Sequence, residues 1–120
     1  MTRGPEQRLD DIEDAITRIR AGMAALDSGV PEPQADLERD AVLYRLLVIG
    51  EAAKALPDPV RDCIPDLPWR NIMRLRDLLA HHYHRVDVAI IHATCDEPLT
   101  ALNDALPKLR TAAATLESGR

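Results

Sequence analysis

Phenylalanine is absent from the 120-residue chain, and one tryptophan and two tyrosines bring the aromatics to only 2%. Sheet cores favour aromatic and β-branched residues, so this shortage argues for helix packed on helix. Cysteine is nearly as scarce: Cys63 and Cys95 stand far apart in no CxxC or Cys/His metal spacing. They are read as buried small apolar residues rather than as a disulfide or a metal site. No run approaches the roughly 18 apolar residues that a membrane span needs, and the opening Met1-Thr2-Arg3-Gly4-Pro5 has no apolar leader segment. The cytoplasm is the expected location, with no membrane partner. An excess of positive charge is missing too. Fifteen Lys and Arg face twenty Asp and Glu, a formal net charge of −5. The molecule as a whole does not attract a polyanion, and any contact with nucleic acid has to use a local basic patch.

What is present suits one ordinary globular domain. Hydrophobic residues make up 46% and charged residues 29%, and the length supports a single modest core, expected over about residues 8–116 of a domain spanning 1–120. Leu9, Ile12, Ile16, Ile19, Met23 and Leu26 recur at steps of three and four, which predicts a helix from Arg8 to Leu26 that stops near Ser28-Gly29. After Pro31-Glu32-Pro33, a second helix from Gln34 carries Val42, Leu46, Ile49, Ala53 and Leu56 on one stripe and Leu43, Leu47 and Gly50 on the next. An apolar arc that wide suits a central helix or an interface. Pro57 and Pro59 end it, and Cys63 to Leu67 is expected to be a connector with one turn of its own.

Pro68 and Trp69 open a predicted third helix to about His82, with Ile72, Leu75 and Leu79 on its core side. Val86 to Ala93 is helical by the same criterion. Leu99, Leu102, Leu106, Leu109, Ala113 and Leu116 form a last helix that Pro107 is expected to kink. The predicted fold is all-α: an antiparallel bundle of four long helices plus short helical pieces.

The third helix is where chemistry concentrates. Between Arg70 and Arg85, four arginines (Arg70, Arg74, Arg76, Arg85) face one acid, Asp77, a local +3 before His81, His82 or His84 is protonated. Guanidinium groups hold phosphate bidentately, and imidazoles move protons near neutral pH. A ribose 2′-hydroxyl attacking its own adjacent phosphate needs both groups and no metal.

Ile49-Gly50-Glu51-Ala52-Ala53-Lys54, then Pro68-Trp69-Arg70, then Arg76-Asp77-Leu78-Leu79-Ala80-His81-His82-Tyr83 together resemble the HepT-like toxins of the HEPN superfamily. That superfamily's signature is an Arg, usually followed by a polar residue, with a His a few residues on. Arg76 and His81 satisfy it, and the pattern gains specificity from the Gly-Glu-Ala helix, the Pro-Trp-Arg entry and the trailing His-x-Tyr. The resemblance implies a HEPN-like fold and a metal-independent endoribonuclease without cofactor. It also implies a homodimer, the toxin of a type VII-like toxin–antitoxin system, acting on RNA such as tRNA. Carried over by position, Arg76 and His81 are catalytic, Asp77 is the polar residue after the Arg, and Tyr83 is the tyrosine to which an MntA-type nucleotidyltransferase antitoxin transfers AMP. Arg70, Arg74 and His84 are assigned to RNA or phosphate binding. The chain departs from the family in having Asp77 where Asn is frequent, and His82 between the His and the Tyr.

Helix geometry adds a constraint. Arg76 and His81 are five apart, which puts them roughly 140° apart around an ideal helix, so one straight helix cannot aim both at one phosphate. Arg76 and Tyr83 share a face, as do Arg74, Asp77, His81 and His84. Either the helix is distorted near Ala80, or two protomers related by a two-fold axis complete the site. His81 is then the general base, Arg76 the phosphate ligand, and Asp77 the group that orients the imidazole.

Each residue also has a plainer reading: Arg76 and His81 as solvated or ion-paired surface groups, Tyr83 as an amphipathic helix end, Trp69 as a core plug, His92 as structural or exposed. Glu51 and Lys54, at i and i+3, read as a surface ion pair, with Glu51 packed near the arginine island as the alternative. Beside the nuclease, two other functions fit: a non-catalytic nucleotide- or RNA-binding module regulating a partner nucleotidyltransferase, and a purely structural dimerisation domain.

Overall fold

A computed structural model describes residues 3–77 and 88–119. The regular structure among them is helical: α1 (Pro5–Asp27), α2 (Gln34–Ala55), α3 (Asp58–Asp62), α4 (Trp69–Met73) and α5 (Val88–Ser118), with residues 75–77 helical as well. Among the described residues, no helix is long and apolar enough to cross a membrane.

Local chemistry sets the ends. Pro5 occupies the first position of α1, where its missing N–H is no loss, and the Gln7 side-chain oxygen accepts from the Gly4 N–H at 2.9 Å. At the other end Ser28 donates its N–H to Ala24 O at 3.0 Å, and Gly29 follows at φ +83°, a conformation that a side chain would strain. α2 stops at Ala55 because Pro57 forces the residue before it into extended backbone, and Leu56 sits at φ −65°, ψ 136°.

Ion pairs give the register. Asp14 of α1 meets Arg45 of α2 at 3.7 Å, and a Cβ built on Gly22 would fall 2.8 Å from a Val42 methyl, so higher numbers on one helix match lower numbers on the other. On the opposite flank Asp10 pairs with Arg110 at 2.7 Å and Asp27 with His92 at 3.1 Å. α1 is therefore antiparallel to both α2 and α5. The stripes predicted from spacing are the core: Leu9, Ile12, Ile16 and Ile19 meet Val42, Leu46, Ile49 and Ala53, and Leu99, Leu102, Leu106, Leu109 and Ala113 close it from α5. Full burial of one such side chain stabilises by about 1.5–3 kcal/mol, so this seam dominates the fold.

Several expectations change. Three long helices lie among the described residues, and the fourth expected one, from Trp69 to about His82, runs partly outside them. The helix expected from Trp69 to His82 ends at Met73 with Arg74 as its cap, and helix resumes at 75–77. Trp69, Ile72 and Leu75 repeat every three residues, which drifts off one face of a continuous α-helix. The break at Arg74, closed by Asp77 N–H to Arg74 O at 2.8 Å, lets Ile72 and Leu75 both stay buried. The connector 63–67 has the turn expected of it, with the Leu67 N–H donating to Ile64 O at 3.3 Å, and a short helix not expected, α3, precedes it because Pro57 and Asp58 start a helix rather than merely stopping one. The two C-terminal segments are one helix that runs through Pro98 and Pro107. An interior proline costs about 3 kcal/mol, and the buried leucines on both sides of Pro107 outweigh it. Cys63 is a free thiol and half-buried, not buried, since it packs at the edge of the core beyond α3.

Candidate active site

α4 is pinned from beneath. Trp69 packs on the core and its indole N–H donates to Ile64 O at 3.0 Å, while Ile72 and Leu75 are fully buried. The Trp69 indole is thus a core plug. With these side chains inside, Arg70, Arg74 and Arg76 remain at the surface together with Asp77. They share one recess of about 290 Å³, lined by Lys54, Arg70, Met73, Arg74, Arg76 and Asp77. The lining carries four cations and one carboxylate, in a chain whose net charge is −5.

Gly50 explains how the recess is assembled. A Cβ at this position would lie 3.3 Å from both Arg76 N and Met73 O, so the absence of a side chain lets α2 touch the backbone that carries Arg76. The next residue, Glu51, then meets the guanidinium: Arg76 Nη1 donates to Glu51 Oε1 at 2.6 Å. Asp77 Oδ1 lies 3.8 Å from Arg76 Nε, on a second edge of the same group. The Arg76 hydrogen bond and charge hold the Glu51 carboxyl below the usual carboxylate range, and Glu51 in turn raises the guanidinium above its ordinary value. Both stay ionised at neutral pH. Lys54, Arg70 and Arg74 have no carboxylate within salt-bridge distance among the described residues.

Of the residues singled out from sequence, Arg70, Arg74, Arg76 and Asp77 come together here. His81, Tyr83 and His84 lie outside the described residues. Asp77, expected to orient His81, has Arg76 as its neighbour. The Glu51–Lys54 surface pair is replaced: Glu51 reaches Arg76, 25 residues on, and Lys54 lines the recess. The place of Glu51 beside the arginines was the alternative reading, and only that of Lys54 was missed by spacing alone. The signal for Glu51 was the glycine before it, because a glycine on the apolar arc of a helix marks close backbone approach.

His92 occupies a different setting. Its Nδ1 lies 2.9 Å from Asp96 and its Nε2 3.1 Å from Asp27, so both ring nitrogens face carboxylates and its pKa is raised by hydrogen bonding to Asp96 first and Asp27 second. The ring ties the end of α1 to the start of α5, which is the structural role expected of it. A recess beside it is floored by Ile19, Met23 and Leu99. Among the described residues, no group of three or more His, Cys, Asp or Glu side chains is arranged to hold a metal ion.

Comparison with known proteins bears on this site. A family model described as ribonuclease HepT-like matches residues 12–109. A protein of Thermococcus cleftensis named "Probable ribonuclease HepT" is 40% identical over 112 residues, covering 92% of this chain and 99% of that protein. A "Putative RNase" of Methanocaldococcus jannaschii is 47% identical over 51 residues, 42% of each chain. One of Caldanaerobacter subterraneus subsp. tengcongensis is 41% identical over 64 residues, 49% of this chain and 57% of its own. No solved structure matches the chain.

Proposed function

The chain belongs to the ribonuclease HepT-like family, and from that premise we propose that it is a metal-independent endoribonuclease, the toxin of a toxin–antitoxin pair. The observation that carries this reading is the cationic recess: Lys54, Arg70 and Arg74 surround Arg76 on an otherwise acidic molecule. Three cations draw in the backbone of an RNA strand by counterion release. Arg76, with its planar donors, holds the scissile phosphate and stabilises the charge that develops on its oxygens.

His81 removes the proton from the ribose 2′-hydroxyl. The 2′-oxygen forms a bond to phosphorus, the P–O5′ bond breaks, and the products are a 2′,3′-cyclic phosphate and a 5′-hydroxyl that takes up a proton. Asp77 supports the charge of the site beside Arg76. His84 adds a further contact to the strand. The protein acts as a homodimer in the cytoplasm. The 140° angular gap between Arg76 and His81 on an ideal helix supports a two-fold site, and so does the exposure of Leu37 and Tyr44, seven residues apart on one face of α2. A nucleotidyltransferase antitoxin of the MntA type silences the toxin by transferring AMP to Tyr83; the His81-x-Tyr83 spacing supports this assignment.

The test is cleavage of total cellular RNA in EDTA by wild type, Arg76→Ala and His81→Ala, after intact mass has shown Tyr83 to be unmodified. Cleavage that both substitutions abolish is the expected result. RNA binding without cleavage by unmodified, dimeric wild type would move the assignment to a regulatory binding module.

A further inference from the structure

A half-exposed ion pair is ordinarily worth little, because side chains as long as Glu and Arg gain almost nothing by meeting in water. The Glu51–Arg76 pair joins two segments whose backbones touch at Gly50. Glu51 sits on α2 between Gly50 and Ala52, which are both buried, and Ile49 before them is wholly buried, so the helix cannot roll. Arg76 sits one residue after buried Leu75, and its backbone N is the atom that a Gly50 side chain would crowd at 3.3 Å. The two side chains thus leave adjacent, touching stretches of backbone, and the 2.6 Å bond from Nη1 to Oε1 needs little further ordering.

The guanidinium has five donors in a fixed plane; one Glu51 oxygen takes a donor at Nη1, and Asp77 Oδ1 stands 3.8 Å from Nε, beyond hydrogen-bond distance. Binding at Nη1 restrains the group and leaves Nη2 free among the described residues to meet a phosphate in the recess. The neighbouring cations divide the labour. Lys54, Arg70 and Arg74 supply the attraction, so Arg76 tolerates a carboxylate partner that would otherwise weaken its hold on an anion.

We propose that Glu51 is a positioning residue for Arg76: its carboxylate fixes one edge of the guanidinium so that the other is presented to the scissile phosphate, with Gly50 setting the distance. This role rests on the ribonuclease reading above. Donors held in place before charge develops stabilise a transition state more than donors that must reorganise. Glu51 touches neither the substrate nor the reacting atoms; it acts through Arg76.

The experiment compares wild type, Glu51→Ala and Glu51→Gln in RNA cleavage, with melting temperature measured for each and the Arg76 side-chain nitrogens followed by NMR. Glu51→Ala is expected to lower kcat on the order of 100-fold, the scale of a misplaced catalytic group. KM should stay level or fall, because a negative charge has left the recess. Glu51→Gln keeps an oxygen acceptor for Nη1 and recovers most of the rate. Both variants melt close to wild type. Slow rotation of the Arg76 guanidinium is seen in wild type and Glu51→Gln and lost in Glu51→Ala.

Wild-type kcat in Glu51→Ala, or freely rotating Arg76 in wild type, would overturn the proposal and leave the ribonuclease reading intact. Equal loss in both variants would assign the effect to charge and also overturn it. Inert, unmodified wild type would remove the ribonuclease reading and this role with it, whatever the NMR showed about the pair.

Discussion

The surface of the helical frame and the surface around residues 69–77 treat arginine differently. On the frame most arginines meet carboxylates, Arg3 with Asp11, Arg18 with Asp14, Arg39 with Glu32 and Asp36, Arg61 with Asp58, Arg110 with Asp10 and Glu13, while Arg8 and Arg20 have no such partner among the described residues. Around the recess, Lys54, Arg70 and Arg74 have no such partner among the described residues, and Arg76 alone is held, by a residue of another helix. Matched charge keeps an acidic surface quiet. Unmatched charge, gathered at one place, leaves a local positive field that a phosphate backbone can enter. The two regions are separate: apolar stripes hold α1, α2 and α5 together, and Lys54, Arg70 and Arg74, without carboxylate partners among the described residues, lie outside those stripes.

The separation can be broken most severely from the frame. Leu102→Ala, in the middle of α5 and wholly buried, should lower unfolding free energy by about 2–5 kcal/mol in urea titration, with cleavage per folded molecule unchanged. Loss of specific activity at full folding would show that the two regions are coupled. From the other side, Arg76→Lys keeps the charge but removes the planar fork. It should cut kcat by about 10²–10³-fold, the scale of one lost transition-state donor, while the melting temperature hardly moves.

Next in size is the pair of unmatched arginines. Arg70→Ala with Arg74→Ala should weaken RNA binding and reduce the slope of log affinity against log salt by about 1.4, at roughly 0.7 per single-strand phosphate contact. An unchanged slope would place the strand elsewhere. The smallest effect belongs to His92. Its pKa is raised in the folded state by Asp96 and Asp27, so the stabilisation is complete below the ordinary histidine value near 6.5 and is lost as pH rises through the raised value. The melting-temperature gap between wild type and His92→Gln should therefore be widest near pH 5.5 and close by pH 9. A gap that grew with pH would contradict the clamp.

Much of this was legible without coordinates. The apolar stripes of the first, second and last helices were readable because a stripe at steps of three and four describes one face of a helix wherever that helix ends up, and these are the buried faces. The cationic stretch was readable from composition along the chain, and the family signature from Arg76, His81 and Tyr83. The break at Arg74 was not, since it depends on what Trp69, Ile72 and Leu75 pack against. Nor did two interior prolines reveal that α5 is continuous, because proline acts locally and the burial that overrides it is remote in sequence.

The sequence by itself determined the helical class, the faces that form the core, and where positive charge gathers, since each is a property of neighbouring residues. Only the tertiary structure decided which acid meets Arg76. Glu51 and Lys54 are one turn apart on the same helix and could pair with each other at little cost or gain. Gly50 removes the side chain that would keep α2 away from residues 73–76, and that close approach gives Glu51 a partner 25 residues distant while leaving Lys54 to line the recess. A contact between distant segments depends on the packing distance between two helices, and no local spacing along the chain encodes that distance.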